Sequence, residues 1–134
     1  MEYKKSYFGF WMWLIGFCGL YTLCCFLPKL EIRLLIAILD NIMSIGIFIL
    51  TLIIYITEKI YWYNSTDYET ALNAGSERRK AFAMAHMKRF GGFAALYLVY
   101  SIISILTGIP YGIDITVAVI GTIVAALSTI SIKL

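Results

Sequence analysis

Four long apolar runs divide this chain, and its polar residues gather mainly between them. The runs cover about 7–27, 34–57, 93–109 and 115–132. A helix needs roughly 20 residues to cross the hydrocarbon core of a bilayer, with a usual range of about 17–25. All four runs fit that range. Pro28 stops the first run and Pro110 closes the third, because proline cannot continue a helix. The expectation is an all-α integral membrane four-helix bundle, with residues 1–134 forming a single membrane domain.

Composition agrees with that pattern. Hydrophobic residues make up 61% of the chain and charged residues 14%, where soluble domains carry about 25% charged residues. Mean hydropathy is +0.84. Lys4 and Lys5 before an apolar run imitate a secretory signal. The run is longer than the roughly 7–15 residues of such a signal and no small-residue cleavage site follows it, so it reads as a retained span.

Charge placement sets the expected orientation. Lys4, Lys5, Lys59, Arg78, Arg79, Lys80, Lys88, Arg89 and Lys133 fall on one side of the spans, and Lys29 and Arg33 on the other. Nine against two predicts a multi-pass protein of the cell membrane with both termini cytoplasmic. Under that topology the Asn64-Ser65-Thr66 glycosylation pattern is on the wrong side to be used. The links at 28–33 and 110–114 are short. Short links favour antiparallel neighbours, so two helical hairpins are expected, spans one with two and three with four.

Residues 58–92 join the hairpins. Thr66 and Glu69 form a capping-box pattern, and Asn73-Ala74-Gly75 supplies a stop. Ser76 can cap a second, amphipathic helix, with Gly91-Gly92 as a hinge before the third span. Arg78, Arg79, Lys80, Lys88 and Arg89 on that helix suggest contact with anionic lipid or an acidic partner. The plainer reading is that these charges only fix topology. Glu58, beside Lys59, reads as a solvated boundary residue.

The second span carries the most informative chemistry. At 100° per residue, Arg33, Asp40, Ser44, Thr51, Tyr55 and Glu58 fall within a sector about 60° wide. Asn41 lies beside Asp40. Polar groups are costly in lipid, so this stripe faces protein or water. Two readings of Asp40 stand together. It lines a site or path for a cation or proton, or it reaches about 9 Å back to Arg33 and locks one end of the bundle. Tyr97, Tyr100, Ser101, Ser104 and Gly108 on the third span, and Asp114, Ala118, Gly121, Ala125 and Ser128 beside or on the fourth, supply matching faces.

No catalytic pattern accompanies these residues. Cys18, Cys24 and Cys25 make no CxxC and have no His cluster near them, and His86 stands without a spaced metal partner. The chain is therefore expected to be a non-enzymatic binding, accessory or regulatory subunit, for example of immunity type, without cofactor or nucleic-acid partner. Its expected partners are the bilayer and another membrane chain or itself. The alternative is a homo-oligomeric channel or transporter for small ions or cations, built on Asp40, Asn41, Ser44, Thr51 and Arg33.

Overall fold

A computed structural model describes residues 3–26, 30–63 and 66–134. Five α-helices follow in order: α1 (Phe8–Cys25), α2 (Ile32–Thr57), α3 (Tyr68–Asn73), α4 (Gly75–Thr107) and α5 (Tyr111–Thr129). A single 3-10 turn, Ile60–Trp62, lies between α2 and α3. No strand occurs among the described residues. The helices α1, α2, α4 and α5 are long and apolar enough to cross a membrane. The chain is thus compatible with a small multi-pass membrane protein. The stop expected at Pro28, and Lys29 and Asn64-Ser65, lie outside the described residues.

The most extensive packing joins α2 to α4, across the boundary between the two expected hairpins. Helix α5 closes on both, whereas α1 packs chiefly on α2. Of the residues in α1 only Cys24 is buried. The architecture is therefore a three-helix core of α2, α4 and α5 with α1 laid along its flank.

An aromatic ring set into a glycine marks each consecutive pair of long helices. Phe17 of α1 lies on Gly46 of α2, Phe48 of α2 on Gly91 of α4, and Phe93 of α4 on Gly121 of α5. A Cβ at Gly46 would stand 2.5 Å from Phe17, and one at Gly91 2.9 Å from Phe48. Glycine is needed there because nothing larger lets the ring approach.

Three local expectations change. The cap of α3 is Asp67, whose Oδ1 accepts from the Thr70 N–H at 2.6 Å, one residue after the expected Thr66. The amphipathic segment and third span are one continuous helix of 33 residues, entered through Gly75 at φ +76° without a Ser76 cap. Gly91-Gly92 lies inside that helix, where Gly91 admits the Phe48 ring and no hinge forms. Finally, α4 ends at Gly108, φ +81°, whose N–H bonds to the Ser104 carbonyl, and α5 starts at Tyr111, so Asp114 belongs to its first turn.

Residues 3–7, 58–63, 66–74 and the start of α4 fold together at one end of the bundle, here called the basic end. The Tyr3 hydroxyl donates to the Glu58 carbonyl at 2.9 Å, and the Tyr68 hydroxyl to the Tyr3 carbonyl at 2.6 Å. The Tyr61 hydroxyl donates to the Ser6 carbonyl and accepts from the Ser6 N–H. Ile54, Ile60, Tyr61, Ala71, Phe82 and Ala83 form a buried core beneath them.

Candidate functional site

The polar stripe of α2 is enclosed by the three-helix core. Asp40, Ser44 and Thr51 are buried. Opposite them α4 presents buried Tyr97, Ser101 and Ser104, and α5 presents buried Asp114. The 3.6-residue period explains the alignment: each set recurs on one helical face.

Tyr97 links the Asp40 carboxyl to the backbone of α5. Its hydroxyl donates to Asp40 Oδ2 at 3.1 Å and lies 3.4 Å from the Asp114 carbonyl oxygen. The Tyr100 hydroxyl donates to Asp114 Oδ1 at 3.0 Å, and the Ser104 hydroxyl reaches the same oxygen. Asp40 stands about 12 Å along α2 from Ile32, at 1.5 Å per residue. Two carboxyl groups thus share one interior, held by hydroxyl donors. Asp114, expected on the face that meets the stripe, is buried in this cluster. Ala118 and Ala125, in the same register, are buried with it.

Arg33 does not meet Asp40. Its Nη2 donates to the Ser104 carbonyl, which also accepts from the Gly108 and Ile109 N–H groups. A cation suits that position, because the C-terminal end of α4 carries partial negative charge. No ion pair joins Arg33 to an acid among the described residues. The lock expected between Arg33 and Asp40 is replaced by two separate ties, Arg33 to α4's end and Asp40 to Tyr97. Arg33 Nε and Asn41 Oδ1 are buried without a hydrogen-bond partner.

The Ser44 and Thr51 hydroxyls are spent locally. Ser44 donates to the Asn41 carbonyl at 3.1 Å and Thr51 to the Phe48 carbonyl at 2.7 Å, both within α2. Asn41 Nδ2 donates to the Ala37 carbonyl and to Ser101 Oγ, at 2.7 and 2.8 Å.

The five basic candidates divide. Arg78, Lys80, Lys88 and Arg89 are exposed, and Arg78 Nη2 donates to the Leu134 carbonyl. Arg79 is buried. Its Nε and Nη2 donate to Glu58 Oε2 at 3.1 and 2.9 Å, its Nη1 donates to the Ala71 carbonyl, and it lies 4.0 Å from the Tyr3 ring centroid. Lys80 Nζ lies 3.5 Å from Glu58, and Ser76 Oγ donates to Glu58 Oε1. Burial acts to raise the Glu58 carboxyl. The Ser76 and Arg79 hydrogen bonds, with the charges of Arg79 and Lys80, outweigh it and hold the group below the usual carboxylate range.

His86 is buried in the same region, stacked on Tyr63 at 4.3 Å, with Nδ1 3.0 Å from the Phe82 carbonyl. The described residues contain no group of three or more His, Cys, Asp or Glu placed to share a metal ion.

No protein family, curated protein or solved structure matches this chain.

Proposed function

We propose that the chain is a membrane-embedded binding or accessory subunit without catalytic activity, with its basic end toward the cytoplasm. One observation carries this reading. The polar stripe a conduit would need is packed inside the core, with Ser44 and Thr51 hydroxyls turned back on their own helix. Arg33, Asn41 and Asp40 are likewise tied to α4. A polar network of this kind aligns three helices and leaves their outer faces to lipid and to other chains. The charge bias of the connections supports the orientation.

The test is flux through liposomes holding the purified chain. The expected result is proton and monovalent-cation leakage equal to that of protein-free liposomes. Flux that disappears in Asp40→Asn would overturn the reading.

A second reading rests on the acid pair. The Tyr97 hydroxyl joins the Asp40 carboxyl to the Asp114 backbone carbonyl, and neither acid has a neutralising ion pair among the described residues. Buried carboxyls without such a partner favour a bound proton or cation. That reading predicts flux lost in both Asp40→Asn and Asp114→Asn.

A further inference from the structure

At the basic end a pocket of roughly 560 Å³ opens where α2 stops. Its walls come from the N-terminal segment, the last residues of α2 and the first turns of α4. Lys4, Lys59 and Arg79 line it, and Glu58 is the acid among its described lining residues. Arg79 already holds that acid from 2.9 Å. Lys59 Nζ stands 5.5 Å from the Trp62 ring centroid, which steadies its position at the rim. The start of α4 adds to the positive field, because no side chain caps it and Ser76 of its first turn lines the pocket.

Depth points to the headgroup layer. Helix α2 has 26 residues, hence ~39 Å of length at 1.5 Å per residue. The hydrocarbon core is about 30 Å thick and the bilayer with headgroups about 40–45 Å. The end of α2 therefore reaches beyond hydrocarbon into the polar layer.

A second feature continues from the first. Ile56 lines the pocket and is 68% exposed. Seven and eleven residues back along α2, Ile49 and Ile45 lie on the same side of the helix. Both line an apolar cleft of roughly 620 Å³ that separates α1 from α4. From Ile56 to Ile45 is about 16 Å, close to the thickness of one leaflet's hydrocarbon.

We infer that this face of α2 binds one anionic phospholipid, its phosphate in the Lys4–Lys59 pocket and an acyl chain along Ile56, Ile49 and Ile45. Charge selects the headgroup, and the cleft selects a lipid over a dissolved anion. This site uses two lysines outside the five basic residues that the sequence singled out. It rests on the spans lying in a bilayer and is independent of the subunit reading.

The experiment is native mass spectrometry of the full chain in neutral detergent, with phosphatidylglycerol or phosphatidylcholine of equal chain length. Phosphatidylglycerol is expected to remain bound where phosphatidylcholine dissociates. Lys4→Ala/Lys59→Ala weakens its retention by roughly thirtyfold, the loss of two lysine contacts with an anionic surface. Lys59→Arg keeps retention, and so does Lys88→Ala/Arg89→Ala. Ile49→Trp, which fills the cleft, lowers it. Inorganic phosphate competes poorly.

Equal retention of the two lipids would overturn the proposal. So would an equal loss in the Lys88/Arg89 variant, which would mean diffuse attraction without a pocket. Displacement by inorganic phosphate at matched concentration would assign the pocket to a soluble anion. The comparison of lipids on the unaltered chain decides the matter even where the double variant fails to fold.

Discussion

Two neighbouring glycines on α4 make a matched test of the packing. Gly91 and Gly92 sit in the same helix interior, so replacing either with alanine gains the same backbone term, about 1 kcal/mol. Their surroundings differ. A Cβ at Gly92 meets nothing within 4 Å, while one at Gly91 would stand 2.9 Å from Phe48 Cε2 and 3.0 Å from Cδ2. The ring must move, and overpacking of this kind costs roughly 1–3 kcal/mol. Gly92→Ala is expected to stabilise by up to about 1 kcal/mol. Gly91→Ala should range from neutral to about 2 kcal/mol destabilising once the backbone gain is subtracted. Denaturant unfolding in mixed micelles, with both variants under one condition, measures the difference. Phe48→Leu in the Gly91→Ala background should recover part of the loss, giving a positive coupling in the double-mutant cycle. Equal stability of the two alanine variants would refute the reasoning, because only the Phe48 contact distinguishes the sites.

Tyr97→Phe removes the hydroxyl that joins the Asp40 carboxyl to the Asp114 backbone carbonyl. The expected loss is about 0.6–1.7 kcal/mol, the span of interhelical hydrogen bonds measured in membranes, read by the same unfolding assay. An unchanged midpoint would show that the hydroxyl does not make this tie. Glu58→Gln tests the basic end through pH. The Glu58 carboxyl is held below its ordinary value of 4.5. It contributes stability above pH 4.5 and loses it as the pH falls through the depressed folded value. The thermal midpoint of the native chain should therefore exceed that of the variant at neutral pH, and the gap should close in acid. A gap that does not narrow as the pH falls below 4.5 would contradict the ion pair. Gly75→Ala should cost about 1–2 kcal/mol, since its φ of +76° disfavours a Cβ, whereas Gly16→Ala on α1, open to its surroundings, should not destabilise.

Helical register made part of this molecule readable before its structure. Asp40, Ser44 and Thr51 recur on one face, and burial of that face follows from the cost of polar groups in lipid. Other features depend on contacts that one helix cannot reveal. Gly91-Gly92 resembles a hinge until Phe48, on a different helix, is brought against it. Glu58 and Arg79 are 21 residues apart and meet only because the chain folds back below α2. Arg79 still left a trace: with Phe82, Ala83 and His86 it follows the i, i+3, i+4, i+7 spacing of a buried stripe. Its charge drew attention to the surface. Asp114 was legible by its register with Ala118 and Ala125, although the expected start of α5 at 115 falls four residues after the observed Tyr111.

The continuity of α4 has a mechanical consequence. Arg79 and Tyr97 are 18 residues apart, or about five full turns and ~27 Å. They therefore point to the same side of a single rod, one gripping Glu58 and the other Asp40. A rigid helix cannot twist at one end alone. A rotation of the whole rod about its axis would therefore shift Arg79 against Glu58 and Tyr97 against Asp40 together, at points some 27 Å apart.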